Sequence, residues 1–304
     1  MDEMNKMSDI HRLVKIFVNC GITKIRLTGG EPTIHPMFDQ YADLLKSFPQ
    51  VDRAITTNGV MIKKIEKIIS SFNRVNVSLD TLESEKFQLI SNRPPNVFQN
   101  IIKFIDTLSL PEHCEKVKEI KINTVVMRGI NDDELLKIIF FANKFNNRSK
   151  ILVRFIELMP FNGNGHANKL FVNKEEILKL IQNQNSGFPI DVKSFSSNSS
   201  AGQSIYTLPS GESFGIISSI TDNFCGSCNR LRLTSDGKLR NCLFSDIDTE
   251  TDLMKMIRDG YSDDEIEIAI RKNIGNKFFS HGGKSVDELI GKTHKNRSMI
   301  SLGG

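Results

Sequence analysis

The stretch TKIRLTGGEPTIHPMFDQYADLLKSFPQVDRAITTNG, residues 23–59, decides the fold class of this chain. It holds a β-rich run at residues 23–27, a Gly-Gly-Glu-Pro turn, a helical pattern at residues 37–46 and a second β-rich run at residues 53–57. A strand, a helix and a strand in this order are typical of a βα unit, whose two strands lie parallel in one sheet. The stretch therefore predicts an α/β fold.

The same alternation continues through the first half of the chain. Further strands are predicted at residues 74–79, 119–127 and 150–157. Further helices are predicted between Ser8 and Gly21 and at residues 61–70, 84–90, 97–107 and 133–145. Each of the five predicted strands follows a helix, so we expect five parallel strands in one sheet.

The first predicted element is a helix with only seven residues before it. A βαβ repeat normally opens with a strand, and a strand with its loop does not fit into those seven residues. Two explanations stay open. Either an N-terminal segment with one more strand is missing from this chain, which we favour, or an N-terminal helix caps a smaller sheet. In the first case residues 23–27 form an unpaired edge, which natural proteins usually cover.

Composition narrows the class of protein. The 304 residues are 39% hydrophobic, and 40 Lys and Arg against 36 Asp and Glu leave a net charge of +4. Disordered, collagen-like and small disulfide-framework proteins are excluded, and the charge is too mild to indicate a nucleic-acid partner. No stretch approaches the roughly 20 apolar residues that cross a bilayer, and the acidic opening lacks the pattern of an export signal. We expect no nucleic-acid or membrane partner, and a cytoplasmic location for the chain as written.

A change of composition after Pro160 predicts two domains, residues 1–160 and residues 161–304. Turn residues at 161–166 and a Ser- and Asn-rich stretch at 194–203 indicate loops. The second domain is predicted to contain strands at residues 206–208 and 213–219 and a helix at residues 263–271.

The cysteines are the sharpest chemical signal. Their number is odd and three of them lie in the last third of the chain, which favours a metal site over a disulfide framework. The three are Cys225, Cys228 and Cys242, whereas Cys20 and Cys114 stand alone. Three thiolates leave the fourth ligand position of a tetrahedral metal open.

Three explanations of these cysteines stay open. The favoured one is a cluster or metal with one position accessible to substrate. A structural zinc site would recruit His281 or His294 as its fourth ligand. Buried cysteines without a ligand are the third. Arg230 and Arg232 follow the second cysteine, either as charge balance or as groups that hold an anion at the open position.

Polar residues recur where the predicted strands end, which is where α/β folds place their sites. After the first strand the Gly-Gly-Glu-Pro turn allows a ligand to approach the backbone closely. The later positions are residues 56–59, residues 76–80, Lys121 with Asn123, residues 127–131 and residues 157–159.

Seven separated blocks resemble one known family. They are KIRLTGGEP at residues 24–32, TTNG at 56–59, RVNVSLD at 74–80, KINTVVMRGIN at 121–131, RFIELM at 154–159, the three cysteines and the closing Gly-Gly. In this order, from about Ser8 to Gly304, they closely resemble the GTP 3′,8-cyclases, the molybdenum cofactor biosynthesis protein A family of radical S-adenosylmethionine (SAM) enzymes.

The resemblance implies a fold and a reaction. The fold is an incomplete (βα)₆ TIM-like barrel, here without its first strand, followed by a C-terminal α+β region that carries a second [4Fe-4S] cluster. In the family, an N-terminal [4Fe-4S] cluster cleaves SAM reductively, and the resulting radical starts the conversion of GTP to (8S)-3′,8-cyclo-7,8-dihydroguanosine 5′-triphosphate.

The resemblance also implies roles for individual residues, none of them catalytic. SAM would be contacted by Gly30, Ser78 and Met159. GTP would be bound by Arg26, Thr56, Lys121, Arg230 and Arg232. The C-terminal cluster would be held by Cys225, Cys228 and Cys242, with its fourth iron left for the guanine, and the Gly-Gly tail would reach into the active site.

One departure from the family is severe. The family holds its SAM-cleaving cluster with a C-x₃-C-x₂-C loop, but Cys20 is the one cysteine before Arg26. We therefore expect the 304-residue chain alone to have no cyclase activity, and the N-terminal cluster to exist only in a longer form. The alternative is a non-catalytic GTP-binding relative that acts as a scaffold or regulator.

The partners implied by the resemblance are GTP, the downstream cyclic pyranopterin monophosphate synthase and a second copy of the chain in a homodimer. A longer eukaryotic form would be located in the mitochondrial matrix.

Overall fold

The computed structural model describes residues 6–145, 150–160, 167–185, 203–222, 225–278, 280–285 and 288. The predicted loop at residues 161–166, residues 194–202 of the Ser- and Asn-rich stretch, His294 and the Gly-Gly tail lie outside the described residues. No helix among the described residues is both long and apolar enough to span a bilayer.

Strands and helices alternate as the sequence predicts. The strands are β1 Lys24–Leu27, β2 Asp52–Thr57, β3 Arg74–Ser78, β4 Glu119–Val126, β5 Ile151–Glu157, β6 Gln203–Thr207, β7 Ser213–Ile217, β8 Arg232–Leu233, β9 Lys238–Arg240 and β10 Thr251–Asp252. The helices are α1 Met7–Asn19, α2 Phe38–Lys46, α3 Ile65–Ser71, α4 Ser84–Ser91, α5 Phe98–Leu108, α6 Leu135–Asn143, α7 Ala167–Leu170, α8 Lys174–Gln184, α9 Leu253–Arg258 and α10 Asp263–Gly275.

The central sheet has seven strands in the order β1-β2-β3-β4-β5-β7-β6. The first five are parallel to one another, as predicted, so the α/β fold class is confirmed and is consistent with a partial TIM-like barrel. β7 pairs in parallel with β5, and β6 pairs antiparallel with β7. Strands from both sides of residue 160 thus share one sheet, and the division into two domains stays a prediction. β1 lies at one end of the described sheet.

One face of the sheet carries the main apolar core. Ile55, Val75, Val77, Ile122 and Phe155 are fully buried there and belong to one cluster with the apolar sides of α2, α3, α5 and α6. Burial of these side chains is the principal stabilising contribution to such a layer. The opposite face of the sheet is left for polar residues.

A smaller unit near the C-terminus packs on the first helix. β8, β9 and β10 form an antiparallel sheet, and α9 and α10 accompany it. Leu13 and Ile16 of α1 share a buried cluster with Ile266 and Ile270 of α10. α10 begins with a capping box, in which Ser262 and Glu265 each accept a backbone N–H of the other.

Candidate functional site

The inner face of the sheet is polar because side chains alternate along each strand. In β4, Ile120 and Ile122 are fully buried against the helices, whereas Glu119, Lys121 and Asn123 point to the other side and stay partly accessible. Successive residues of a strand face opposite sides of the sheet. A sequence with isoleucine at every second position therefore presents its charged residues together on the inner face.

Parallel pairing extends this face across five strands, because residues that are paired in register point to the same side. Three neighbouring rows result: Arg26, Ala54, Arg74 and Glu119; then Thr56, Asn76 and Lys121; then Ser78, Asn123 and Arg154. The sequence-predicted GTP contacts Arg26, Thr56 and Lys121 thus share one face of the sheet. Arg26 Nη1 donates to Thr56 Oγ1 over 3.2 Å.

Three cations of this face have pKa values that are strongly lowered. Burial, together with the charge of Arg230, lowers the pKa of Arg26 to about 10. Burial lowers the pKa of Arg154 to about 9, with added repulsion from Arg26 and Arg230. Burial also lowers the pKa of Lys121 to about 8, although Glu119 at 2.8 Å opposes the shift. Each lowered pKa means that the positive charge is disfavoured where it stands.

Arg230 and Arg232 come to the same region from the loop after the second cysteine. Burial lowers the pKa of both, to about 10 for Arg232, while the Cys228 sulfur opposes the shift. Because Arg230 lowers the pKa values of Arg26, Arg154 and Arg232, its guanidinium lies near all three. Arg154 in turn lowers the pKa of Lys121, so the four arginines and Lys121 form one connected group of cations. Such a convergence of poorly hydrated cations favours a multiply charged anion as its ligand.

Arg154 is a further residue of this group of cations, for which the sequence by itself predicts no role. It lies on β5 with 7% of its surface exposed, and Asn123 Oδ1 accepts hydrogen bonds from its Nε at 2.9 Å and its Nη2 at 2.6 Å. A signal for it exists in the sequence: it is the single cation within the apolar strand ILVRFIE. A cation in a strand buried on both faces is rare unless a partner or ligand compensates it.

A buried carboxylate ties the Gly-Gly-Glu-Pro turn to the end of β2. Glu31 Oε1 accepts hydrogen bonds from the Thr33 backbone N–H and the Thr57 hydroxyl, at 3.1 and 2.7 Å, and Oε2 accepts the Asn58 backbone N–H at 2.6 Å. Gly29 has a φ of 148°, a conformation that side chains disfavour. The turn that contains Gly30 is thereby held at the carboxyl end of β1.

The three predicted SAM contacts occupy different surroundings. Gly30 is exposed on its turn. Ser78 lines a cavity of about 470 Å³, including its open mouth, together with Asn58 and Asp80. Burial raises the pKa of Asp80 to about 6, although a hydrogen bond from the Val125 backbone opposes the shift.

Met159, the third predicted SAM contact, packs against Ile220 and Phe244. Cys242 packs against the same small cluster. Met159 thus lies on the side of the site where the cysteines are.

The three clustered cysteines are near one another, and each sulfur accepts an N–H donor. The His281 backbone donates to Cys225 Sγ at 3.3 Å, the Phe244 backbone to Cys242 Sγ at 3.4 Å and Lys277 Nζ to Cys228 Sγ at 3.3 Å. Burial raises the pKa of Cys225, and so do the nearby Cys242 and Cys228. Burial acts to raise the pKa of Cys228, but hydrogen bonds from the Arg230 backbone and Lys277, with the positive charges of both side chains, lower it overall.

His281 does not turn its ring toward these sulfurs. Its Nε2 lies 3.1 Å from the Ser219 carbonyl oxygen and its Nδ1 3.3 Å from the Ser280 hydroxyl. A carbonyl oxygen can only accept, so Nε2 donates its proton to Ser219, while Nδ1 pairs with the Ser280 hydroxyl. Both ring nitrogens are therefore engaged away from the cysteines. Within the described ranges, no three His, Cys, Asp or Glu side chains converge as a group that could hold a metal ion.

Comparison with protein families matches both halves of the chain. Residues 3–142 match the radical SAM superfamily, and residues 151–282 match the Molybdenum Cofactor Synthesis C family.

Curated relatives agree with both matches. A GTP 3′,8-cyclase of Thermodesulfovibrio yellowstonii is 38% identical over 90% of this chain and 81% of its own length. Molybdenum cofactor biosynthesis protein 1 of Dictyostelium discoideum is 35% identical over 99% of this chain and 46% of its own length. A GTP 3′,8-cyclase of Arabidopsis thaliana, named mitochondrial, is 34% identical over 99% of this chain and 73% of its own length. The chain belongs to the GTP 3′,8-cyclase family, radical SAM enzymes of molybdenum cofactor biosynthesis.

Proposed function

We propose that this chain binds GTP for its conversion to (8S)-3′,8-cyclo-7,8-dihydroguanosine 5′-triphosphate. The observation that carries the proposal is the convergence of Arg26, Lys121, Arg154, Arg230 and Arg232. A nucleoside triphosphate carries several negative charges in a small volume, so it would restore the pKa values that burial and mutual repulsion lower.

The residues of this pocket act by binding and orienting the substrate. Guanidinium groups bind phosphate oxygens in pairs, whereas the Lys121 ammonium acts as a point charge. Asn123 orients the Arg154 guanidinium and Thr56 orients that of Arg26, so two of the cations are held in place before GTP arrives. Preorganised charges bind a ligand with little further loss of side-chain entropy.

We propose that the three C-terminal cysteines hold a [4Fe-4S] cluster with one open iron. Cys225, Cys228 and Cys242 would supply three thiolates, and each sulfur accepts an N–H donor. Such hydrogen bonds are one means by which a protein sets the potential of a bound cluster. The ring of His281 is engaged elsewhere, which disfavours it as the fourth ligand of a structural zinc site. We propose that the open iron position receives the guanine of GTP.

The residues of this chain do not fit the second, SAM-cleaving cluster. SAM, when it is cleaved reductively, supplies the radical that starts ring closure, and Gly30, Ser78 and Met159 are the proposed contacts for it. The required C-x₃-C-x₂-C arrangement is absent from the five cysteines of the sequence. Cys20 packs beside the buried apolar side chains that α1 and α10 share. No step of the reaction is therefore assigned to residues of this chain at a SAM-cleaving cluster.

The absence of C-x₃-C-x₂-C from the sequence favours one second candidate, a non-catalytic relative that binds GTP as a scaffold or regulator. Both candidates predict GTP binding and a C-terminal cluster, and they differ in turnover. Cyclic product formed when the chain is supplied with a protein segment that carries C-x₃-C-x₂-C would support the enzyme and contradict the scaffold.

GTP binding, which both candidates predict, is tested by calorimetry of the anaerobically reconstituted chain with GTP, GDP and GMP. Charge-assisted hydrogen bonds contribute about 1.5–3 kcal/mol each, so we expect affinity to fall by roughly 10- to 100-fold for each phosphate removed. Equal affinities for GTP and GMP would contradict a triphosphate site in this pocket.

Assignments of partners and location belong to the same proposal. The cyclic product would be consumed by cyclic pyranopterin monophosphate synthase, and the chain would act as a homodimer. Cytoplasm is proposed for the chain as written, and the mitochondrial matrix for a longer eukaryotic form, as the name of the Arabidopsis relative suggests.

A further inference from the structure

Lys277 contacts the cysteine loop from outside it. It follows the end of α10, and its backbone N–H donates to the Ile274 carbonyl at 3.0 Å, which continues the last turn of the helix. Its side chain then spans to the turn between Cys228 and Arg230, 49 and 47 residues earlier in the chain.

The ammonium group of Lys277 uses all three of its donors on this turn. Nζ lies 2.7 Å from the Cys228 carbonyl oxygen, 3.1 Å from the Arg230 carbonyl oxygen and 3.3 Å from Cys228 Sγ. An ammonium group has three N–H donors and no acceptor, so these contacts saturate it. Three simultaneous contacts hold the turn far more specifically than a single surface ion pair, which is worth little.

Lys277 differs from the other sulfur donors of the site. His281 and Phe244 donate to Cys225 and Cys242 from neutral backbone amides. Lys277 brings a full positive charge to the third sulfur. Reduction of an iron–sulfur cluster adds negative charge to it, so a cation that is hydrogen-bonded to a ligand sulfur stabilises the reduced form and raises the reduction potential.

The same ammonium group links the cysteines to the cation pocket. Its contact with the Arg230 carbonyl fixes the backbone of a residue whose guanidinium lies near Arg26, Arg154 and Arg232. A change at Lys277 therefore acts on two neighbouring parts of the site at once.

We propose that Lys277 is a positioning residue that raises the reduction potential of the C-terminal cluster and holds Arg230 in the GTP pocket. This inference rests on the proposed C-terminal cluster. The cysteine ligands alone provide neither the positive charge beside the cluster nor the contact with Arg230.

The test is an EPR-monitored redox titration of the reconstituted chain, together with iron and sulfide content and GTP affinity. Lys277→Arg keeps a charged donor, Lys277→Gln keeps a neutral donor and Lys277→Met keeps neither. We expect potentials to become more negative in the order wild type, Arg, Gln, Met, at unchanged iron content, with a loss of GTP affinity that is largest for Met. Lys272→Met, on the exposed side of α10, is the matched control and should retain the wild-type potential.

The outcomes separate this inference from the proposal on which it rests. A wild-type chain that takes up no iron and sulfide overturns the C-terminal cluster itself. A cluster that is retained with the same potential in all Lys277 variants overturns the role of Lys277 and leaves the cluster in place. Loss of the cluster from the Arg, Gln and Met variants alike also overturns the tuning role, because the residue would then be required only for assembly.

Discussion

At the scale of single residues, the site depends on cations that the fold keeps poorly solvated. Arg154 is the clearest case, because it is buried and Arg26 and Arg230 both repel it. Its partner Asn123 is neutral, so hydrogen bonds orient the guanidinium without cancelling its charge. A bound anion would offset the unfavourable free energy of this buried and repelled positive charge.

Replacement of Arg154 should therefore separate binding from stability. We expect Arg154→Met to weaken GTP binding by roughly 10- to 100-fold, the loss of one or more charge-assisted hydrogen bonds. The melting temperature of the ligand-free protein should stay the same or rise, because a repelled buried cation is removed. Arg53→Met is the control, since Arg53 donates to the Ser71 carbonyl at 2.7 Å on the other face of β2. A large loss of stability at unchanged GTP affinity would contradict the ligand role of Arg154.

Lys121 should make GTP binding dependent on pH. Its pKa is about 8 in the folded protein and 10.5 ordinarily, so between these values the unfolded chain holds more protons and the ligand-free fold gains stability as pH rises. GTP favours the charged form. Affinity should therefore be steady below about pH 8 and fall above it.

Calorimetry at pH values from about 7 to 9.5 checks this expectation. Titration of the phosphates is common to all variants, so the comparison with Lys121→Arg, which stays charged, isolates the lysine. If both proteins give the same pH profile, Lys121 does not contact the triphosphate.

At the scale of elements, α1 joins the two parts of the molecule. Ile10 and Val14 belong to the core of the large sheet, whereas Leu13 and Ile16 belong to the cluster with α10. A helix that is apolar on two sides is expected where it lies between two layers. The helix that the sequence places first thus packs between the central sheet and the C-terminal unit.

Truncation of Leu13 should test this junction. Leu13 is fully buried, and removal of a buried leucine side chain costs about 2–5 kcal/mol of unfolding free energy. Urea denaturation of Leu13→Ala measures the loss. Ile268→Ala, at a position that is 65% exposed on α10, should change stability by less than about 0.5 kcal/mol. Equal small effects of both substitutions would mean that α1 and α10 do not stabilise each other.

At the scale of the whole molecule, the net charge is only +4, although the cations of the pocket form a concentrated positive region. Carboxylates elsewhere balance the surface lysines, as in the pairs of Lys64 with Asp39 and of Lys67 with Asp43. The pocket cations lie instead where burial amplifies their field. The net charge of the chain is for this reason a poor guide to the anionic ligand that we propose for this pocket.

The chain by itself should not cleave SAM. After anaerobic reconstitution we expect about four iron atoms per chain, those of one [4Fe-4S] cluster, and no 5′-deoxyadenosine when SAM and dithionite are added. A family member that contains C-x₃-C-x₂-C, treated in the same way, is the positive control. Formation of 5′-deoxyadenosine by this chain would refute the expectation.

Local patterns in the sequence determined the βα alternation, the five parallel strands, the position of the polar strand ends and the set of three clustered cysteines. Each is encoded by residues that are close in sequence: the isoleucine alternation of β4, the Gly-Gly-Glu-Pro turn and the spacing of Cys225 and Cys228. Family resemblance added Arg26 and Lys121 as proposed contacts of GTP, and the structure places both on the same face of the sheet.

Only the tertiary structure decided which distant groups meet. It brought Arg154 beside Asn123, set β7 next to β5, packed α10 on α1 and placed Lys277 on the Cys228 turn. The periodicity of a sequence predicts which way a side chain points. It does not predict which residue lies opposite that side chain, because the pairing depends on how separate layers pack together. Contacts between residues 31 or more positions apart are therefore properties of the folded chain rather than of any local pattern.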